Sequence, residues 1–415
     1  MKKVLLATVA LGLGAAPPAT AATIVSWNQD NVDVGDTPAD GETGASVVYD
    51  QVLPGDGTVP ATASTNGSVV FTPPEAVSPG ITVSNVPYPD SGTGNPPSIL
   101  DGCIKTSSAA ACDGPFQSGK RIKQVVTDTG PMDLVFDIDT SSTELSTYQV
   151  FGRLINDTGQ ALEGFELSLG YGIGDDFIAA PTDGNLTFST TFTAQPSGSG
   201  SSNTQYPFGL FGDATTNPNF LLDGFFSDER TGFNVVQTAT TISSTELYGD
   251  YGLIFGSWMT QDEATLPNGL FWDFDDNDDT DDLLMAWETS PGLWELRRDA
   301  GQTCDPLDPL NCTEGATRDV FATGSFDEIV AILGVDTDFL GTGAIEDLAN
   351  LNVNYAIALG DLSGSFFSDN PASFTLRTTV FPAGSMAPVP LPAGAPILLV
   401  GLGMIGFLRR SNVLA

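Results

Sequence analysis

The sequence predicts a mainly β protein, a β-sandwich or jelly roll with long loops and one or two short helices. Three observations carry that expectation. Short apolar runs alternate with polar residues at a period of two, most clearly where Phe165, Leu167, Leu169 and Tyr171 interleave with Glu166, Ser168 and Gly170. These runs are separated by turn-forming residues, in a chain that holds 46 glycines and 28 prolines among 415 residues. Helical signals are brief. Ser325-Phe326-Asp327-Glu328 reads as a capping box ahead of residues 329–333, and residues 344–351 form a second short candidate.

Taken in order, residues 33–119 are rich in Gly, Pro, Ser and Thr, with β-like bursts only at 68–72 and 81–86. Edge strands and long, partly mobile loops are expected there. Residues 124–126 and 133–138 read as strands. Residues 147–155, then Asn156-Asp157-Thr158-Gly159-Gln160, then 162–171 read as a hairpin. A strand at 186–192 precedes a Ser/Gly linker at 195–203. Further strands are expected at 233–241, 251–259, 283–287, 353–359 and 373–380. No internal repeat is visible.

Composition excludes several function classes. The chain has no histidine, which removes His-assisted serine or cysteine hydrolysis, His-ligated zinc and His general bases. Carboxylate, Lys, Tyr or cation-assisted chemistry remains. Four of the 14 basic residues (Lys2, Lys3, Arg409, Arg410) lie in the terminal segments, so the part between carries ten basic against 52 acidic residues, a net −42. That charge makes nucleic acid and anionic lipid poor partners and leaves cations and neutral glycans. Apolar residues still make up 41% of the chain, enough to build a core.

The most chemical-looking run is residues 272–282, in which seven of eleven residues are aspartates. Asp273, Asp275, Asn277 and Asp279 are candidate Ca²⁺ ligands, because oxygen donors at alternate positions are what Ca²⁺ loops use. The run is not an EF-hand: Asp278 stands where the sharp turn needs Gly, and Leu284 where a bidentate Glu belongs. The plainer reading is a solvated acidic loop. Trp258, Trp272, Trp287 and Trp294 flank it, either as core residues or as a sugar-binding face beside the acids. A carbohydrate-active enzyme working through paired Asp/Glu is the rival functional reading, although 52 acids give no means of choosing a pair.

The four cysteines sit as Cys103/Cys112 and Cys304/Cys312. In an oxidising compartment this spacing favours two local disulfides, while three connectivities are formally open.

Both termini concern address. Lys2 and Lys3 precede the apolar run 4–16, and Ala19-Thr20-Ala21 supplies small residues of the kind that signal peptidase reads, with cleavage expected after Ala21 or else Ala22. At the other end Val389-Pro390-Leu391-Pro392-Ala393 is followed by the apolar segment 397–408 and by Arg409-Arg410. Two arginines are costly to translocate, which keeps that end cytoplasmic. Twelve apolar residues make a helix of about 18 Å against a hydrocarbon core of about 30 Å, a poor permanent anchor.

This tail resembles the VPLPA-CTERM form of the PEP-CTERM sorting signals of Gram-negative bacteria. The resemblance implies an exosortase as partner, a membrane-embedded transpeptidase-like enzyme that cuts near the motif. The protein would then pass from a transient inner-membrane stage to the cell surface or extracellular matrix, where polysaccharide or matrix is the expected contact. A second resemblance rests on Tyr148-Gln149-Val150-Phe151-Gly152-Arg153, Gly164-Phe165-Glu166-Leu167, the 223–233 stretch and the 272–287 block. These are similar to exported choice-of-anchor domains of the F type, which carry no catalytic residues to transfer. The expected organisation is a signal peptide at 1–21, a Gly/Pro/Ser/Thr-rich part at 22–119, a β-sandwich core at 120–385 and the sorting signal at 389–410. The expected role is structural, adhesive or binding rather than enzymatic.

Overall fold

Two sheets close on one apolar interior, and a third, smaller sheet leans against them. The computed structural model describes residues 21–86, 100–106, 112, 120–142, 146–182, 185–189, 235–244, 258–262, 264–273, 276, 282–296, 303–305, 308–313, 322–360, 362 and 372–383. Strands are numbered in chain order. The first sheet runs β1 (Ala21–Asn28), β8 (Met132–Ser142), β23 (Ser373–Pro382), β10 (Leu162–Tyr171), β14 (Thr241–Ser244), β13 (Val235–Gln237), with β11 (Ile178–Ala179) also on β10. The second runs β12 (Leu186–Phe188), β22 (Asn350–Leu359), β9 (Ser146–Asn156), β7 (Ile122–Val126), β4 (Thr65–Phe71), β3 (Gly44–Tyr49), β2 (Val32–Asp33). In it β6 (Gly102–Lys105) lies beside β9 and carries β5 (Thr82–Ser84). The third runs β20 (Ala322–Gly324), β17 (Leu293–Leu296), β16 (Leu283–Ser290), β15 (Asn268–Trp272), β21 (Leu340–Ala344). A separate pair is β18 (Thr303–Asp305) with β19 (Asp308–Thr313).

The fold is thus mainly β and sandwich-like, with one α-helix among the described residues, α1 (Phe326–Leu333). Alternation explains which residues meet. Leu134 and Phe136 of β8, Phe165, Leu167 and Leu169 of β10, and Leu376 of β23 are fully buried from one side. Val150 of β9, Val69 of β4 and Ile357 of β22 are fully buried from the other. All join one cluster, and each such side chain contributes about 1.5–3 kcal/mol by leaving water. Hydrogen bonds also cross between the layers. Thr378 donates to Gln124 Oε1 at 3.0 Å, and the Ile24 N–H donates to the Tyr148 hydroxyl at 3.1 Å.

The expected hairpin at 147–171 is corrected. β9 pairs with β22, β7 and β6, whereas β10 pairs with β23, β14 and β11. The Asn156–Gln160 segment is therefore an arch between layers. Its cause is Asn156, fully buried, whose amide donates to the carbonyls of Gln160, Trp258 and Met259 at 2.9, 3.1 and 2.9 Å. Its Oδ1 accepts from the Thr158 N–H and hydroxyl. A buried amide satisfied by a distant segment overrides the local preference for a two-strand turn.

Other differences are smaller. The stretch expected as loops and edges, residues 33–119, supplies β3 to β6 to the second sheet, with Val69 and Phe71 fully buried. The strand expected at 233–241 is split into β13 and β14 around Thr238, whose hydroxyl accepts from the Thr241 N–H at 3.0 Å. The helix expected at 344–351 is a single 3₁₀ turn, Glu346–Ala349, after which β22 begins. The linker at 195–203 and residues 251–257 of an expected strand lie outside the described residues.

On the outer face of the first sheet, Arg377 grips Asp133 with Nε and Nη2, both at 2.7 Å. Asp133 is 2% exposed and also accepts from the Gly174 N–H at 2.8 Å. The guanidinium lies 3.9 Å from the Phe177 ring centre. Gly174 has φ +55, and a Cβ there would sit 2.2 Å from the Asp50 carbonyl oxygen. A side chain would push the loop off its clamp.

The third sheet uses both faces. Leu284 belongs to the main core, against which Phe271, Trp287 and Ala344 also pack. Leu270, Met285, Ala286, Trp294 and Leu296 turn to the other side and meet Ile329 and Leu333 of α1. The helix starts where expected. The Ser325 N–H and hydroxyl donate to Glu328 at 2.8 and 3.0 Å. It ends at Gly334, φ 65, whose N–H reaches the Val330 carbonyl.

Candidate functional site

The residues that the sequence nominates fall in three places. Val389, Pro390, Leu391, Pro392, Ala393, Arg409 and Arg410 lie outside the described residues, as does the signal segment 1–20. No helix among the described residues is long and apolar enough to cross a membrane.

Of the candidate Ca²⁺ ligands only Asp273 is described, while Asp275, Asn277 and Asp279 lie outside. Asp273 closes β15 as the chain leaves the third sheet. Its N–H donates to the Phe339 carbonyl at 2.9 Å, and its Oδ1 accepts the Asp276 N–H at 2.7 Å. Asp276 takes φ 53, the left-handed region that Asp tolerates. The first carboxylate of the run thus organises its own turn.

The four tryptophans do not form one face. Trp258 is fully buried in the main core, donating to the Ala349 carbonyl at 2.6 Å. Trp294 is 6% exposed in the helix-side core. Trp287 packs on the main core and Trp272 on the helix-side core. Their alternation along short strands sends them to opposite sides, so the shared sugar-binding platform is not built.

A shallow groove of about 350 Å³ does open between α1 and the third sheet, lined by Asn268, Trp294, Phe326, Thr342 and Gly343. Phe326 meets Trp294 edge to face, with ring centres 5.4 Å apart. Asn268 donates to Glu288 at 2.7 Å, and the Gly292 N–H donates to its other oxygen at 2.7 Å. These bonds, Asn268 first, hold the Glu288 carboxyl below its ordinary range, so it stays ionised and fixes the amide. The groove offers an aromatic edge, an amide and a hydroxyl.

Cys103 and Cys112 form a disulfide with Cα atoms 5.8 Å apart. It ties the buried strand β6 to the segment before β7. In the β18–β19 pair the backbone register sets Cys304 opposite Cys312.

One grouping was missed in the sequence. Lys105, Lys120, Arg121, Lys123 and Arg153 gather where β6 gives way to β7 alongside β9. The signal was available: five of the ten basic residues between the terminal segments fall within positions 105–153. Their convergence needs the parallel β7–β9 register, which no local pattern reveals.

Compared with known proteins, the chain matches no family model, no curated protein and no solved structure.

Proposed function

We propose that this chain is an exported β protein of the cell surface or extracellular matrix, with a structural or binding role, delivered through its C-terminal signal by an exosortase. The observation that carries the reading is the tail itself, in which Val389-Pro390-Leu391-Pro392-Ala393, an apolar segment and Arg409-Arg410 follow in that order. The Cys103–Cys112 disulfide supports it, since disulfides persist in oxidising compartments. Signal peptidase acts at the other end, and polysaccharide or matrix is the partner of the delivered head. Weak Ca²⁺ binding by Asp273, Asp275, Asn277 and Asp279 belongs to the same reading, because extracellular sites need only millimolar affinity.

The test is genetic. Replacing Pro390 and Pro392 by Ala, or Arg409 and Arg410 by Gln, is expected to leave unprocessed precursor in the inner membrane. Unchanged processing and equal surface delivery in both variants overturn the reading.

A further inference from the structure

We propose that β21, an open edge of the third sheet, pairs with β21 of a second copy of this chain, joining two third sheets across a two-fold axis at Thr342. The proposal deepens the structural reading by naming a partner, and it rests on that reading only for where the copies meet.

β21 ends the third sheet, with β15 on one side. The register fixes which of its backbone groups are used. The Asp273 N–H donates to the Phe339 carbonyl at 2.9 Å, and the Ile345 N–H to the Pro267 carbonyl at 3.0 Å. Bonded pairs recur at every second residue of an antiparallel ladder, so Gly341 and Gly343 also face β15. The N–H and C=O groups of Thr342 and Ala344 therefore point away from it, as does the Leu340 carbonyl. Among the described residues no hydrogen bond reaches them.

Other edges are closed or shorter. On β1 the Ile24 N–H is met by the Tyr148 hydroxyl and its carbonyl by the Asn85 amide. On β12 the Phe188 N–H reaches the Ala239 carbonyl. β2 has two residues, one of them Asp33, while β13 and β20 have three each. The five residues of β21 carry no charge, no proline and no bulge, the features that keep an exposed edge from pairing.

Its sequence fits a second copy of itself. Leu-Gly-Thr-Gly-Ala is nearly palindromic about Thr342. In an antiparallel pair centred there, threonine faces threonine, glycine faces glycine, and Leu340 faces Ala344 of the other copy. The Thr342 N–H groups then donate to Thr342 carbonyls across the seam, and the Ala344 N–H groups to Leu340 carbonyls. Neither glycine is demanded by its own subunit, because a Cβ at Gly341 or Gly343 would meet nothing within 4 Å. Glycine within a strand suits the close approach of another backbone. Thr342 also lines the groove with Phe326, so the second strand arrives at the open side of that groove.

Charge opposes the meeting. The net is −42, and exposed Asp338 and Glu346 flank the strand, each falling opposite the other across the axis. Exposed like charges weigh little against a new backbone ladder, and salt screens them over about 8 Å at about 0.15 M. Association therefore strengthens with salt, the reverse of attraction between opposite charges.

The experiment is sedimentation of the exported protein over roughly a hundredfold concentration range reaching about 0.1 mM, at about 0.15 and about 0.5 M NaCl. A monomer–dimer equilibrium is expected, tighter at the higher salt. Thr342→Pro removes an outward N–H and no bond to β15, and should weaken the dimer roughly tenfold. Thr342→Cys gives a gain of signal that misfolding does not mimic. Residues facing each other across a bonded pair lie about 5.5 Å apart, so mild oxidation should link the two copies. Ala344→Cys should not link, since its mate lies about 14 Å away. A dimer that survives Thr342→Pro, weakens with salt, or cross-links equally through both cysteine variants overturns the proposal. A monomer at every concentration does so too. Protected Thr342 and Ala344 amides in hydrogen exchange would then assign the edge to a segment of the same chain, and unprotected ones to a foreign strand. Sorting is read by fractionation and pairing by sedimentation, so each reading can fail while the other stands.

Discussion

The two-sheet sandwich and the third sheet with its helix solve the same burial problem with different means. In the sandwich, strands of ten or eleven residues such as β8, β9, β10, β22 and β23 cover one interior from both sides. In the third layer, strands of three to eight residues and one eight-residue helix enclose a cluster of seven buried residues. A small core closed on one side by a single helix opens at lower free-energy cost than a core closed by two sheets. The segment bearing most of the acidic run emerges from the weaker layer, and the register pair Lys123 and Arg153 sits on the stronger one.

The largest expected effect breaks the stronger layer. Arg377→Met leaves Asp133 buried without its cation, and a loss of about 3–5 kcal/mol in denaturant unfolding is expected. A loss under about 1 kcal/mol would mean that the clamp is ornamental and that the outer loop is held by other contacts.

Ile329→Ala should cost about 2–4 kcal/mol, confined to the third layer. Native-state hydrogen exchange reads this directly: amides of β15, β16 and β17 should speed up while those of β9 and β22 do not. Equal acceleration in both would show one cooperative unit and remove the contrast.

Ca²⁺ sharpens the comparison from the acidic side. At ten times Kd it should stabilise the native state by about 1.4 kcal/mol. The shift should disappear in Asp273→Asn/Asp275→Asn. Mg²⁺ and Na⁺ at matched ionic strength are the control, and equal shifts with all three ions reduce the run to a solvated loop.

The smallest effect is at the helix start. The Ser325 N–H and hydroxyl hold the Glu328 carboxyl below its ordinary value of 4.5. A lowered folded-state pKa gives stability that is present above that value and lost as pH falls through the folded-state pKa. Ser325→Ala should loosen α1 at pH 7, with roughly fivefold faster exchange of its amides. The difference should shrink as pH falls through the folded-state value. An undiminished difference at low pH would assign the cap to the serine alone.

The fold was legible where burial follows the local period. Residues 162–171 form β10 at the expected bounds, and Ser325 with Glu328 starts the helix. It was illegible where a long-range partner decides. Asn156-Asp157-Thr158-Gly159-Gln160 has hairpin composition, yet the carbonyls that Asn156 satisfies belong to Trp258 and Met259. The tryptophans could be located but not oriented, because the register with β15 skips Met285 of β16, so that Met285 and Ala286 both turn to the helix side and Trp287 to the main core. The Lys123–Arg153 pair needs a parallel register between strands 30 positions apart. The proposed address, by contrast, is a contiguous string, Val389 to Ala393 with the apolar segment and Arg409-Arg410 after it, and needs no fold to be read.

That difference between a distributed head and a contiguous address is the central claim, and the C-terminus of the delivered protein tests it most directly. Intact-mass and C-terminal peptide analysis of protein recovered from the cell surface or matrix should find a chain ending near Val389 to Ala393, without the apolar segment 397–408 and without Arg409-Arg410. A surface-delivered chain that still ends at Ala415 would contradict it.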